Sequence, residues 1–183
     1  MKTNTQDSQA MTMDADVMAV ARSAFQHARA GDALLLARLV EAGLPVNLAN
    51  EKGDTLLMLA SYHGHVDATR TLLKHQADPE RTNDRGQTPL AGAAFKGDVT
   101  IARLLLDHGA RVDGTGPDGK TALMFAAMFD RLEVLELLLS RGAKPGQTDA
   151  EKRTALDYAR AMGARRTTEK LAELQKTSGQ PQA

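Results

Sequence analysis

The chain of 183 residues carries 23 basic and 23 acidic residues, so its formal net charge at pH 7 is zero. This balance argues against nucleic acid or an anionic membrane as the main partner, since proteins that bind either one usually carry an excess of Lys and Arg. The absence of cysteine excludes a disulfide framework and thiolate chemistry, and the aromatic content of only 3% favours packed Ala- and Leu-rich helices over a β-sandwich.

The chain begins with a polar segment, residues 1–13, that lacks the apolar stretch of a secretory signal. We expect this segment to be a mobile tail. The first predicted helix begins near Asp14, and a second helix follows in the stretch AGDALLLARLVEAGLPVN. No apolar run in the chain approaches the ~20 residues that a membrane-spanning helix needs. We therefore expect a cytoplasmic protein without a membrane partner.

From about residue 50 onwards the same pattern recurs every 33 residues. The recurring positions include Thr55, Thr88, Thr121 and Thr154, then Leu57, Leu90, Leu123 and Leu156, and also Ala60, Ala93, Ala126 and Ala159. In each unit a turn glycine and a threonine that can cap a helix precede a short Ala- and Leu-rich helix. A second, Leu-rich helix follows and ends at a residue suited to the left-handed conformation. The pattern predicts three inner units, at residues 50–82, 83–115 and 116–148.

The two end units are degenerate copies of this pattern. The first, residues 14–49, lacks the turn and the threonine, and the last, residues 149–175, has arginine and threonine at positions 165–168 where the inner units have apolar residues. Because the outer faces of the end units in a solenoid contact water, polar residues there are typical of a cap. We therefore predict one domain over residues 14–175, followed by a second mobile tail over residues 176–183.

A unit of 33 residues that contains a β-turn and two helices resembles the ankyrin repeat. The stretches that carry the resemblance are GDTLLMLASYHGHVDATRTLLKHQAD, GQTPLAGAAFKGDVTIARLLLDHGARVD and GKTALMFAAMFDRLEVLELLLSRGAKP. The resemblance implies an all-α solenoid of five helix–turn–helix units joined by β-turn or hairpin loops. It also implies a small stand-alone protein of a kind that occurs in bacteria, a monomer without cofactors or catalytic activity. Such a protein would sequester, inhibit or bridge a protein partner, for example an enzyme or a toxin.

Two residues depart from the family pattern at positions that usually hold glycine. Gln76 follows the second helix of its unit, and Asp130 stands between the two helices of its unit. A left-handed backbone costs a non-glycine residue about 1 kcal/mol, although aspartate tolerates it better. We therefore expect the second and fourth units to be the least stable ones.

The stretch ASYHGHVDA places three residue types that bind metals, His63, His65 and Asp67, within five positions. In the repeat register His63 lies on the first helix, whereas His65 begins the second, where the resemblance implies a structural hydrogen bond within the turn. Because the three residues belong to different parts of a helix–turn–helix unit, we expect no metal site. The alternative interpretation is a metal-dependent enzyme that uses these three residues.

Two further motifs suggest phosphate or nucleic acid and are better explained by the repeat. GTGPDGKT, residues 114–121, fits the spacing of a P-loop but lacks the preceding apolar strand, and its last glycine and threonine are the turn and cap of every inner unit. Arg165, Arg166 and Lys170 form a small basic cluster. A nucleic-acid binder is the alternative interpretation of this cluster, but a solvated cap explains it, so we expect no nucleic-acid partner.

The exposed edge of the first helices is where we expect a protein partner to bind. The resemblance implies that this edge and the turn tips form a concave surface. Three of the six aromatic residues of the chain fall at this edge, and aromatic side chains dominate interface hot spots; the alternative is that neighbouring turns bury them. The predicted contact residues are Tyr62, His63, Phe95, Lys96, Met128 and Phe129. The predicted polar rim at the turn tips consists of Asp54, Arg85, Gln87, Asp118 and Lys120.

Overall fold

The structure, a computed structural model, describes the backbone of residues 5–178 and the side chains of residues 18–176. Ten α-helices follow one another in this part of the chain, which holds no strand beyond an isolated antiparallel bridge between Ala49 and Thr55. The helices are α1 (Thr5–Ala30), α2 (Ala33–Glu41), α3 (Leu56–Tyr62), α4 (Val66–Lys74), α5 (Pro89–Lys96), α6 (Val99–Asp107), α7 (Ala122–Met128), α8 (Leu132–Ser140), α9 (Ala155–Ala161) and α10 (Arg165–Ser178). The predicted all-α solenoid is confirmed.

The repeated threonines set where the first helix of each unit begins. Thr55, Thr88, Thr121 and Thr154 precede α3, α5, α7 and α9, and each hydroxyl accepts a hydrogen bond from the backbone N–H three residues further on. This bond satisfies one of the donors that the first turn of a helix leaves free. The 33-residue period therefore determines the residue at which the first helix begins in every unit from the second onwards.

The helices form two rows that pack on each other. The first helices of the units pack side by side in an inner row, and the second helices, α2, α4, α6, α8 and α10, form an outer row. Alanines at one position of the inner row are fully or almost fully buried, which lets neighbouring helices approach closely: Ala60, Ala93, Ala126 and Ala159. Leucines of the outer row, such as Leu72, Leu105 and Leu138, fill the space between the rows.

Helix α1 is longer than the sequence analysis predicted. It begins at Thr5 rather than near Asp14, so the backbone of residues 5–13 is helical. The reason is that the segment contains neither Gly nor Pro and is rich in residues such as Gln, Ala and Met that favour helices. The mobility predicted for this segment stays a prediction.

At the other end α10 continues to Ser178, beyond the predicted boundary at residue 175. The remaining parts of the two predicted tails, residues 1–4 and 179–183, lie outside the described residues. Among the helices that the structure describes, none combines the length and the apolar character needed to cross a membrane.

Candidate functional site

Three aromatic rings form a continuous row across three units. Tyr62 ends α3, Phe95 lies in the last turn of α5, and Phe129 directly follows α7. The rings of Tyr62 and Phe95 are stacked, with centroids 6.3 Å apart and an angle of 17° between their planes. The rings of Phe95 and Phe129 pack edge to face, with centroids 4.6 Å apart and an angle of 72° between their planes. We call Tyr62, Phe95 and Phe129 the aromatic row.

The aromatic row lies outside the hydrophobic core. Tyr62 is 42% exposed, whereas Phe95 and Phe129 are half-buried. None of the three belongs to the core or to the partly buried residues that pack on it in the described part of the chain. Met128, which the sequence analysis grouped with them, does pack against the core. Tyr62 is therefore open to solvent, whereas Phe95 and Phe129 are partly covered.

Positive charge surrounds the open end of this row. The Lys96 ammonium lies 5.2 Å from the centroid of the Tyr62 ring, a geometry in which the ring face attracts a cation. The exposed His63 ring meets Tyr62 edge-on, with centroids 5.7 Å apart. Burial, and then the electrostatic interactions with His65, Lys96 and Arg29, lower the pKa of His63. Lys96 and Arg29 therefore place positive charge near His63 in a chain whose formal net charge is zero.

The side chain of His65 links two units. Its Nε2 lies 2.7 Å from the backbone carbonyl of Arg29 in the preceding unit, and because a carbonyl only accepts, Nε2 is the donor. Gly31 makes room for this ring, since a Cβ there would lie 2.5 Å from its Nδ1. Within the turn, His65 makes the predicted hydrogen bond through its backbone N–H, which donates to the Ala60 carbonyl, and not through its side chain. Arg131 occupies the equivalent position two units later and donates to the carbonyl of Phe95.

The three residues considered as metal ligands do not converge. The His63 and His65 rings are stacked with centroids 6.2 Å apart, and Asp67 lies in the first turn of α4. Within the residues that the structure describes, no group of three or more His, Asp or Glu side chains has the arrangement of a metal site. The Nε2 of His65 is already engaged by the carbonyl of Arg29.

A groove of about 1020 Å³ runs along the inner side of the first three units. The predicted residues that line it are Tyr62, His63, Phe95, Asp54, Arg85 and Gln87. The predicted residues that lie outside it are Lys96, Met128, Phe129, Asp118 and Lys120. The structure therefore brings together about half of the predicted site, at the N-terminal end of the solenoid. We call this cavity the N-terminal groove.

One wall of the N-terminal groove comes from α1 and was missed by the sequence analysis. Met18, Arg22, Phe25 and Arg29 contribute to this wall. Their spacing of four, three and four residues places them on one face of a helix, so the signal was present in the sequence. It was overlooked because the first unit lacks the turn and the threonine that set the register of the other units.

Most of the predicted rim residues already have partners within the protein. The Asp54 carboxylate accepts a hydrogen bond of 2.9 Å from Asn83 in the next unit, and Lys120 forms an ion pair of 2.8 Å with Asp118. The hydrogen bond from Lys120 to Asp118 raises the pKa of Lys120 against the opposing effect of burial. Arg85, in contrast, is exposed and has no carboxylate partner among the described residues. Arg85 is therefore the rim residue most available to a partner.

Two family profiles match the chain. A profile described as "Ankyrin repeats (3 copies)" matches residues 24–116. A second profile, described as "Ankyrin repeats (many copies)", matches residues 94–159. Together they extend over the units that form the N-terminal groove and the aromatic row.

Individual relatives are similar to shorter stretches of the chain. The ankyrin repeat protein PA3287 of Pseudomonas aeruginosa is 50% identical over 64 residues, which are 35% of this chain and 37% of that protein. Ankyrin repeat domain-containing protein 29 of Homo sapiens is 42% identical over 60 residues, 32% of this chain and 20% of that protein. Ankyrin repeat domain-containing protein 63 of Mus musculus is 48% identical over 44 residues, 24% of this chain and 11% of that protein. The matched stretches therefore span well under half of each of these relatives.

Proposed function

Because the chain belongs to the ankyrin repeat family, we propose that it is a non-catalytic module that binds a protein partner through its inner face. The repeats of this family are generally protein–protein interaction modules. We further propose that the chain acts as a monomer without nucleic acid or cofactor, and that it sequesters, inhibits or bridges its partner.

The aromatic row is the observation that carries this proposal. The chain has six aromatic residues, and three of them lie next to one another outside the core on one face. Folding alone would favour burying such side chains, since burial of an aromatic residue is strongly stabilising. Aromatic side chains in a partly exposed patch are typical of the centre of a protein–protein interface.

The experiment that tests this proposal compares two triple variants in an affinity capture from bacterial lysate. The first, which we call the row variant, lacks the aromatic row because it carries Tyr62→Ala, Phe95→Ala and Phe129→Ala. The matched control, Arg70→Ala, Lys74→Ala and Arg103→Ala, removes three exposed side chains from α4 and α6 in the outer row.

We expect the control variant to retain the partners of the wild-type chain and the row variant to lose them. A single interface hot spot contributes about 2 kcal/mol, which corresponds to a roughly 30-fold change in affinity. Circular dichroism measures whether the row variant is folded, which we expect because the aromatic row lies outside the core. Equal capture by the folded row variant and the wild-type chain would show that the partner binds elsewhere.

A further inference from the structure

We infer that the N-terminal groove binds an acidic peptide segment that carries an aromatic or aliphatic side chain. This inference rests on the proposed function and specifies the chemistry of the partner. The groove combines an apolar floor with cations that form no ion pair with the carboxylates the structure describes. The floor favours the apolar side chain of such a segment, and the cations favour its carboxylates.

The floor of the groove consists of apolar side chains from three first helices. Phe25 of α1, Leu59 of α3 and Phe95 of α5 line it, and the exposed Met18 and Tyr62 flank it. The volume of about 1020 Å³ is at the upper end of the range of small-molecule pockets. The groove therefore has room for several side chains of a peptide, and its lining favours an apolar anchor.

Four cations line the same groove, Arg22, Arg29, Lys52 and Arg85, and Lys96 lies at its edge beside Tyr62. None of these five side chains has an ion-pair partner among the carboxylates that the structure describes.

Elsewhere on the surface such pairs are common. Arg111 pairs with Glu80, and Lys170 pairs with Glu136.

Arg22 donates a hydrogen bond to the Met18 carbonyl and Lys96 lies over the Tyr62 ring, but neither contact neutralises the charge. Among the described carboxylates, none forms an ion pair with a groove cation, so these cations can pair with an acidic ligand.

The acidic residues of the groove do not cancel this charge. Among the residues whose side chains the structure describes, Glu51 and Asp54 are the two carboxylates that line it. The Asp54 carboxylate already accepts hydrogen bonds from Asn83 and Asn50. The described lining therefore carries four cations against two carboxylates, a net positive charge in a chain that is neutral as a whole. Such local complementarity steers an acidic segment to the site and fixes its orientation.

A peptide fits these features better than a nucleic acid does. Nucleic-acid sites present a basic stripe that follows the phosphates over many residues. Here the cations surround a short apolar floor, and the chain as a whole has no excess of positive charge. A single strand that stacks its bases on Tyr62 and Phe95 is the competing occupant, and the experiment below includes it.

The test selects a phage library of random peptides of about 12 residues on four immobilised proteins. These are the wild-type chain, the row variant defined above, a groove-charge variant with Arg29→Glu and Arg85→Glu, and a control with Arg70→Glu and Arg103→Glu in the outer row. All four substituted arginines are exposed, so folding should be preserved.

Some selected peptides should bind the wild-type chain but not the row variant, and these are the peptides that depend on the aromatic row. We expect them to be enriched in Asp and Glu next to Leu, Phe, Tyr or Trp. This enrichment should persist with the control and disappear with the groove-charge variant. Fluorescence anisotropy of the most enriched peptide should show about 10-fold weaker binding to the groove-charge variant. The same peptide should bind several-fold more weakly when NaCl rises from about 50 mM to about 500 mM.

Three results would overturn the inference, and they separate it from the proposed function. If the peptides that depend on the aromatic row were neutral or basic, the inference that the partner segment is acidic would be refuted. The proposed function would not be affected by that result. Oligothymidylate that displaces the selected peptide at a similar concentration would identify a nucleic-acid site. If no selected peptide depended on the aromatic row, the inner face itself would be refuted as the binding surface.

Discussion

Asp130 has two opposing effects on stability at a single position. Its φ of 52° lies in the left-handed region, which costs a residue other than glycine. Its carboxylate, however, reaches into the next unit and accepts hydrogen bonds from the Thr167 backbone N–H at 2.9 Å and from Arg166 Nε at 3.2 Å. Thr167 lies in the first turn of α10, which Ala164 precedes without a side chain that could cap it. Asp130 therefore caps a helix of the neighbouring unit.

Removing this carboxylate should destabilise the protein even where the backbone strain is relieved. We expect Asp130→Ala to lower the free energy of unfolding by about 1–2 kcal/mol, the usual value of a helix cap. Asp130→Gly loses the same cap but adopts the left-handed backbone freely, so its loss should be smaller by up to about 1 kcal/mol. Urea denaturation of the three proteins measures both differences. If the glycine variant were more stable than the wild-type protein, the cap would contribute less than the strain costs.

The contribution of Asp130 should also depend on pH. Burial raises the pKa of this carboxyl, but the hydrogen bonds from Thr167 and Arg166 outweigh that effect and hold it below its ordinary value. A group whose pKa is lower in the folded state stabilises the protein above its unfolded pKa of about 4 and loses this effect as the pH falls through the folded pKa. The stability difference between the wild-type protein and Asp130→Ala should therefore shrink below about pH 4. A difference that stayed constant down to about pH 2 would contradict this assignment.

At the scale of structural elements, the turn tips depend on contacts between units. One position of the repeat register holds Asn50, Asn83 and Asp149 in three of the units. The side-chain oxygen of each accepts hydrogen bonds from the backbone N–H groups two and four residues further along the chain. The third inner unit has Gly116 at this position. A Cβ there would lie 1.8 Å from the carbonyl oxygen of Gly86 in the preceding unit. The neighbouring turn therefore excludes any side chain at position 116.

Two glycines give a matched test of this contact. Neither Gly116 nor Gly146 has a left-handed backbone, but a Cβ on Gly146 would meet no atom within 4 Å. We expect Gly146→Ala to stabilise the protein by about 0.4–1 kcal/mol, because alanine restricts the unfolded chain. Gly116→Ala should destabilise it by roughly 1–3 kcal/mol, because the two turns must move apart. Thermal unfolding of both variants measures the contrast, and similar melting temperatures would refute the contact.

For the whole molecule, the sequence predicts the features that repeat and misses those that depend on how units stack. Each unit of a solenoid contacts only its neighbours, so the 33-residue period was sufficient to place the capping threonines and the buried alanines. The same period placed Tyr62 and Phe95 on one face. It did not show that Asn83 engages Asp54, or that α1 forms a wall of the N-terminal groove. Those features require the position of one unit relative to the next, and the degenerate first unit carries too little of the pattern.

This dependence on neighbours changes the expected distribution of stability along the solenoid. The period alone predicted that the second and fourth units are the least stable, on account of Gln76 and Asp130. Both residues do have a left-handed backbone, with φ of 66° and 52°. The contacts of Asp130 with the fifth unit offset its strain, whereas Gln76 makes only a backbone hydrogen bond to Leu73 among the described residues. We therefore expect the second unit to be the least stable of the three inner units.

Hydrogen exchange measured by segment tests this order, because local opening reports the stability of each unit. Among the inner units, amides of α3 and α4 should exchange fastest. Gln76→Gly should slow their exchange about fivefold, since relief of about 1 kcal/mol of strain changes the opening equilibrium by that factor. The control is Gly109→Gln at the equivalent position of the third unit, where φ is 93° and a side chain would meet no atom; it should accelerate exchange in α5 and α6 by a similar factor. Uniform protection of the inner units in the wild-type protein would mean that contacts between units, rather than the backbone strain within them, determine where the solenoid opens.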